Sequence, residues 1–230
     1  MIGIIGAMDI ELETIKKEVT NLTEEARGIR TFYTGTIEGK QVVIVLAGIG
    51  KVNAAITTSK LLEEYDVDYV INIGVAGGQN GVTHKDIVIS TEVLYHDVDV
   101  TSFGSRYVHG QVPGMDATFK ADKTLISKTI KVLENANIAY HLGKVASGDQ
   151  FVTSKETIAK VNELYNDILA IEMEACAIAH TASIYKIPFI IYRSISDVLD
   201  DETQGEDFDK FVEEASIKAS VVLRELIKEL

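Results

Sequence analysis

Short apolar runs alternate with helix-spaced segments along most of this chain, and that alternation narrows its possible folds more than any other feature. Residues 2–6, 69–73, 168–173 and 189–194 read as strands. Residues 10–19, 51–64, 122–136, 154–164 and 174–185 carry helical spacing between them. Residues 31–37 and 41–46 are β-rich runs around Glu38-Gly39-Lys40, which predicts a hairpin. Residues 86–95 and 140–147 supply further strands, 96–119 reads as a long polar loop, and 208–230 as a closing amphipathic helix. Strand–helix–strand repetition requires crossovers, so the expectation is an α/β fold with a central mixed sheet and helices on both sides. With no linker or low-complexity stretch in its 230 residues, the chain is expected to form one domain, 1–230.

Acids outnumber bases 35 to 22, giving a net charge of −13, which argues against a duplex nucleic-acid binder. A nucleoside, which carries no phosphate, stays compatible with that charge. The single Cys176 excludes an internal disulfide framework and fits a reducing cytoplasm. It sits in an apolar run and reads as buried filler. No apolar run approaches the roughly 20 residues that span a bilayer, so no membrane partner is expected. The opening Met1-Ile-Gly-Ile-Ile-Gly-Ala-Met8 lacks a basic region and reads as a first strand, not a signal peptide.

Chemistry concentrates between residues 170 and 197. Glu172 and Glu174 interrupt an apolar strand just before a helix, and Arg193 and Asp197 close the next strand-like run. Carboxylates at the ends of buried strands are costly unless paired or used, and strand ends are where α/β proteins bind ligands. Gly48-Ile-Gly50 and Gly74-Val-Ala-Gly-Gly78 follow apolar strands and read as tight turns or a ligand cradle. Neither matches a dinucleotide or phosphate-loop fingerprint. His84, His96, His109, His141 and His180 show no paired metal spacing, so neither metal nor cofactor is expected.

Several short motifs occur in one order: Gly3-Ile-Ile-Gly-Ala-Met8 with Glu11, Ala47-Gly-Ile-Gly-Lys-Val52, Tyr95-His-Asp-Val-Asp-Val-Thr101, Phe103-Gly104, Ser147-Gly-Asp-Gln-Phe151, Ile171-Glu-Met-Glu-Ala175 and Arg193-Ser-Ile-Ser-Asp197. Nearly end to end, the chain resembles the 5′-methylthioadenosine/S-adenosylhomocysteine nucleosidases of the nucleoside phosphorylase superfamily. The resemblance implies a three-layer α/β/α fold and hydrolysis of an adenine–ribose N-glycosidic bond, with an acid for the leaving base and a base for water.

By the same resemblance, Asp197 is the acid that protonates adenine N7, Glu11 the base that activates water, and Arg193 a further contact for that water. Glu174 holds the ribose hydroxyls, and Phe151 stacks on adenine beside the backbone of Val152. Met8, Ile49, Met173 and Phe208 line the pocket. Val100, Phe103 and Pro113 match positions that reach a partner subunit's pocket, which implies a homodimer. Strand alternation turns Glu172 away from the ligand, and Asp9 and Glu13 fit a solvated face.

The chain departs from the pattern at Val75, where the family usually has a water-holding serine, and in longer segments at 103–111 and after Asp197. These departures keep open a divergent nucleoside-binding paralogue with altered 5′ preference. The nearest rival is a purine nucleoside phosphorylase, which needs a cationic phosphate cradle. The motifs supply only Arg193, with Glu11 placed to repel an anion.

Overall fold

Strands buried on both faces are written as continuous apolar runs, and those runs form the centre of the molecule. The computed structural model describes residues 1–104, 106–165, 167–199 and 204–230, with only the backbone of 204–207 and 209. In chain order the elements are β1 (Ile2–Gly6), α1 (Asp9–Lys17), β2 (Thr20–Arg27), β3 (Arg30–Ile37), β4 (Lys40–Leu46), α2 (Lys51–Glu64), β5 (Tyr69–Gly78) and β6 (Ile87–Tyr95). They continue with a 3₁₀ turn (Thr101–Phe103), β7 (Phe119–Lys120), α3 (Lys123–Asn135), β8 (Tyr140–Ser147), α4 (Lys155–Leu164), β9 (Ile168–Glu172), α5 (Ala175–Tyr185), β10 (Phe189–Val198) and α6 (Gln204–Glu229).

The ten strands form one mixed sheet in the order β10-β6-β8-β9-β5-β1-β4-β3-β2, with β7 on β6. Because β10 pairs with β5 as well as β6, strands β5, β10, β6, β8 and β9 close on themselves. Alternate residues feed two cores. Ile4, Ile44, Ile71 and Ile190 pack against Leu12, Leu223 and Ile227 of α1 and α6. Their neighbours Ile5, Val43, Val70 and Ile191 pack against Ala54, Leu61 and Ile178 of α2 and α5. The α/β expectation with helices on both sides is therefore met. The predicted hairpin at Glu38-Gly39-Lys40 joins antiparallel β3 and β4.

Four local expectations are corrected. The edge strand β2, almost entirely exposed, was not expected, because Thr20-Asn-Leu-Thr-Glu-Glu carries no apolar periodicity. The long loop 96–119 contains the 3₁₀ turn and the start of β7. Strand β10 runs on through Arg193 and Asp197 instead of stopping at 194.

The fourth correction concerns Gly74–Gly78, which is strand and not a turn. It extends β5 and pairs with β10 and β9. None of its glycines has positive φ. They are required for space: a Cβ on Gly74 would lie 2.8 Å from Glu11 Oε1, and one on Gly77 2.6 Å from Leu199 and 3.0 Å from Asp197 Oδ2. Ser105 and Asp200, Asp201 and Glu202 of the longer segments lie outside the described residues, as do the side chains of Glu206 and Asp207.

Candidate active site

Where the carboxyl ends of β1, β5, β9 and β10 converge, a cavity opens that is lined by Ala7, Met8, Glu11, Ile49, Val75, Ala76, Gly77, Phe151, Ile171, Glu172, Met173, Glu174, Ser196, Asp197 and Phe208. Nine of the residues singled out from sequence meet here: Met8, Glu11, Ile49, Val75, Phe151, Met173, Glu174, Asp197 and Phe208. Val152 lines a small adjoining cavity with Gln150 and Leu199. Arg193 lies outside the cavity wall. Val100 is half-buried, and Phe103 and Pro113 are exposed on the 96–119 segment, away from this cavity.

Glu11 sits in the first turn of α1, where the helix dipole favours an anion. It is buried, with 3% of its surface exposed, whereas Asp9 and Glu13 face solvent. Oε2 accepts hydrogen bonds from the backbone N–H of Ala7 (2.7 Å) and Met8 (3.0 Å), and Oε1 from Val75 N–H (3.2 Å). Burial pushes its carboxyl above the ordinary range, against the opposing pull of the Arg193 guanidinium and those N–H groups.

Glu174 precedes α5 and accepts a 2.7 Å hydrogen bond from Gly50 N–H at the start of α2. Gly50 has φ +95°, a conformation that a side chain would strain. Gly48-Ile-Gly50 is the tight turn that was expected, and it also presents an N–H to a carboxylate. Burial raises the Glu174 carboxyl first, Glu172 adds to the rise, and the result is about 8.

That shift has a consequence for stability. The unfolded chain releases this proton near 4.5, while the folded protein holds it up to about 8. Between those values the folded state binds more protons, so stability falls as pH rises through the window. Relative to Glu174→Gln, the wild-type Tm is expected to decline between about pH 5 and about pH 8. Parallel declines in both proteins, followed by thermal melts, would contradict this account.

Asp197 lies on β10, 1% exposed, and accepts a 2.7 Å hydrogen bond from Ser196 Oγ. Phe151 and Phe208 stand edge to face, 5.5 Å between ring centres, across the mouth of the cavity. Behind the wall, Arg193 is 2% exposed and donates from Nη2 to Asn72 Oδ1 (2.6 Å) and to Glu172 Oε2 (2.7 Å). Glu172 is therefore not the bystander that strand alternation suggested. Its side chain folds back onto the start of α5, where the chain leaves the strand, and it borders the cavity.

No group of three or more His, Cys, Asp or Glu side chains that could hold a metal occurs among the described residues. The arrangement is a buried apolar slot with four carboxylates and, among the described residues, no lysine or arginine in its wall. Such a site suits a neutral ligand with a hydroxyl-bearing ring and a flat apolar part, and proton transfer at both ends of it.

Known proteins of this kind share the fold and much of the sequence. The pattern of the phosphorylase superfamily matches residues 1–228. A 5′-methylthioadenosine/S-adenosylhomocysteine nucleosidase from an Exiguobacterium species is 42% identical over 231 residues, covering all of this chain and 98% of that protein. The crystal structure of such a nucleosidase from Neisseria meningitidis, in complex with methylthio-immucillin-A, superposes with a TM-score of 0.96 at 39% identity, covering 100% of this chain and 99% of the other. Another, from Colwellia psychrerythraea in complex with adenine, gives 0.95 at 37% identity, covering 100% and 95%.

Proposed function

We propose a catalytic arrangement for this chain, which belongs to the 5′-methylthioadenosine/S-adenosylhomocysteine nucleosidases of the phosphorylase superfamily. The protein hydrolyses the N-glycosidic bond of both nucleosides and releases adenine. The observation that carries the arrangement is the convergence of Glu11, Glu174 and Asp197, each at most 7% exposed, on one cavity from α1, the start of α5 and β10.

In this reading adenine lies against Phe151, beside the backbone of Val152. Asp197 delivers a proton to N7 as the bond from N9 to the anomeric carbon breaks, so the base leaves neutral. Glu174 accepts from the ribose hydroxyls, an interaction that strengthens as the ring becomes cationic. Glu11 takes a proton from the water that attacks the anomeric carbon. Its raised affinity for protons makes it a better base than a solvated carboxylate. Arg193 steadies the Glu11 end of the site. Val75 supplies no hydroxyl, but its N–H fixes Glu11 Oε1. Ile49, Met8, Met173 and Phe208 enclose the ribose and the alkylthio group.

Residues 1–230 act as one nucleosidase domain. Val100, Phe103 and Pro113 reach the pocket of a second copy in a homodimer, a role supported by the 66% exposure of Phe103. The enzyme works in the cytoplasm, where its single buried thiol stays reduced, and its thioribose product enters methionine salvage. No helix among the described residues is long and apolar enough to cross a membrane.

Phosphorolysis fits less well. No lysine or arginine faces the cavity among the described residues, so a phosphate would find no cationic cradle there. The test is adenine release from methylthioadenosine, adenosylhomocysteine and deoxyadenosine, with and without phosphate. Release in phosphate-free buffer is expected. A strict phosphate requirement would replace hydrolysis by phosphorolysis, and tight binding without any release would leave a binding protein.

A further inference from the structure

Glu172 accepts from four groups, more than Glu11 does, yet the arrangement above gives it no part. Ser147 Oγ and Ala175 N–H (3.1 Å) donate to Oε1. Glu174 N–H (3.0 Å), Ala175 N–H (2.9 Å) and Arg193 Nη2 (2.7 Å) donate to Oε2. These donors come from the end of β8, the start of α5 and β10. One side chain thus ties together three separate segments that carry the pocket wall.

Two consequences follow from charge. Arg193 is almost wholly buried, and its other acceptors, Asn72 Oδ1, Asn72 O and Tyr192 O, are neutral. Glu172 is the anion within ion-pair distance of it. A guanidinium in that position needs such a partner. Arg193 in turn approaches Glu11 across Gly74: a Cβ built on Gly74 would lie 2.8 Å from Glu11 Oε1 and 3.5 Å from Arg193 Cζ. The pair Glu172–Arg193 therefore fixes the position and the share of positive charge that Glu11 feels.

The second consequence concerns Glu174, whose own backbone N–H is held by Glu172. The carboxylate assigned to the ribose thus hangs from a backbone that the neighbouring carboxylate pins, while Gly50 N–H fixes its tip.

We propose that Glu172 is a positioning residue of this site: one buried anion that orients Arg193 beside Glu11 and anchors the backbone of Glu174. The inference rests on the catalytic reading above. It adds that the spacing between the water-activating and ribose-holding carboxylates is set by a third carboxylate in the cavity wall.

The test is Glu172→Gln, which keeps the size but offers one acceptor oxygen and an NH₂ to a ring of donors. Expected is a fall in kcat of about 100-fold, the scale of a small displacement of reacting groups, with KM within about threefold of wild type. Glu172→Asp restores the charge one methylene short and is expected to recover at least about tenfold of that loss. A purely structural Glu172 predicts a different split: Tm falls while kcat per folded molecule stays at the wild-type value, and that result overturns the proposal. Where Glu172→Gln fails to fold, Glu172→Asp carries the test: lowered kcat at unchanged KM supports the role, and wild-type kcat overturns it. Wild-type adenine release is measured alongside. Its absence breaks the catalytic reading itself, whereas release matched by Glu172→Gln breaks only the role of Glu172.

Discussion

Asp197→Asn is expected to lower adenine release by about 10³-fold while a non-hydrolysable adenosine analogue still binds. General acid catalysis contributes about 10²–10⁴-fold, and an amide has no proton acidic enough to give to N7. Ser196 Oγ still finds an acceptor in the amide oxygen, at the place where it now donates to Oδ1. The side chain is 1% exposed, so a neutral group is no harder to bury there than a charge. Binding and turnover should therefore separate cleanly, a kcat effect without a matching Kd effect. Steady-state kinetics and analogue titration together measure this. Turnover near wild type in Asp197→Asn would remove the residue from its role.

Glu11→Gln is expected to cost as much in rate, about 10³-fold, and to cost stability as well. Its carboxylate accepts from Ala7, Met8 and Val75 N–H, with both oxygens in use. Whichever oxygen becomes NH₂, at least one buried or partly buried backbone N–H then faces a donor. Leaving such a group unsatisfied costs about 1–3 kcal/mol. Part of this is offset, because the amide removes a buried carboxylate whose ionised form is disfavoured. The net expectation is a lower Tm together with lost turnover, in contrast to Asp197→Asn, where only turnover goes. A Glu11→Gln protein with full activity would mean that water is activated elsewhere.

Much of the framework was legible because buried strands and amphipathic helices leave different periodicities. Residues 2–6 form a short Ile/Gly run and 42–45 an unbroken β-branched one, while 122–136 carries helical spacing, which the structure shows capped by Asp122 accepting from Thr124 and Leu125 N–H. β2 was invisible because an exposed edge strand buries nothing and needs no apolar side chains. The glycines at 74–78 misled for a different reason. Glycine is needed both where φ is positive and where another group comes close, and composition does not distinguish the two; Gly50 is the first case, Gly74 the second. Glu172 was misjudged because strand alternation was carried one residue too far. The chain turns into α5 after it, and its carboxylate serves the helix start.

Strand β5 also bears on how such a pocket can change over time. Its wall at Val75, Ala76 and Gly77 is built from small side chains and bare backbone, and Gly77 is pressed by Leu199 and Asp197. Nothing smaller than glycine exists, and a Cβ at Gly77 would collide, so this point of the wall is fixed, whereas Val75 beside it can vary. Ile49, which also lines the cavity, is more than half exposed, so a replacement there meets solvent on one side. The pocket thus joins one glycine locked by contact to neighbours, Val75 and Ile49, that are free to vary.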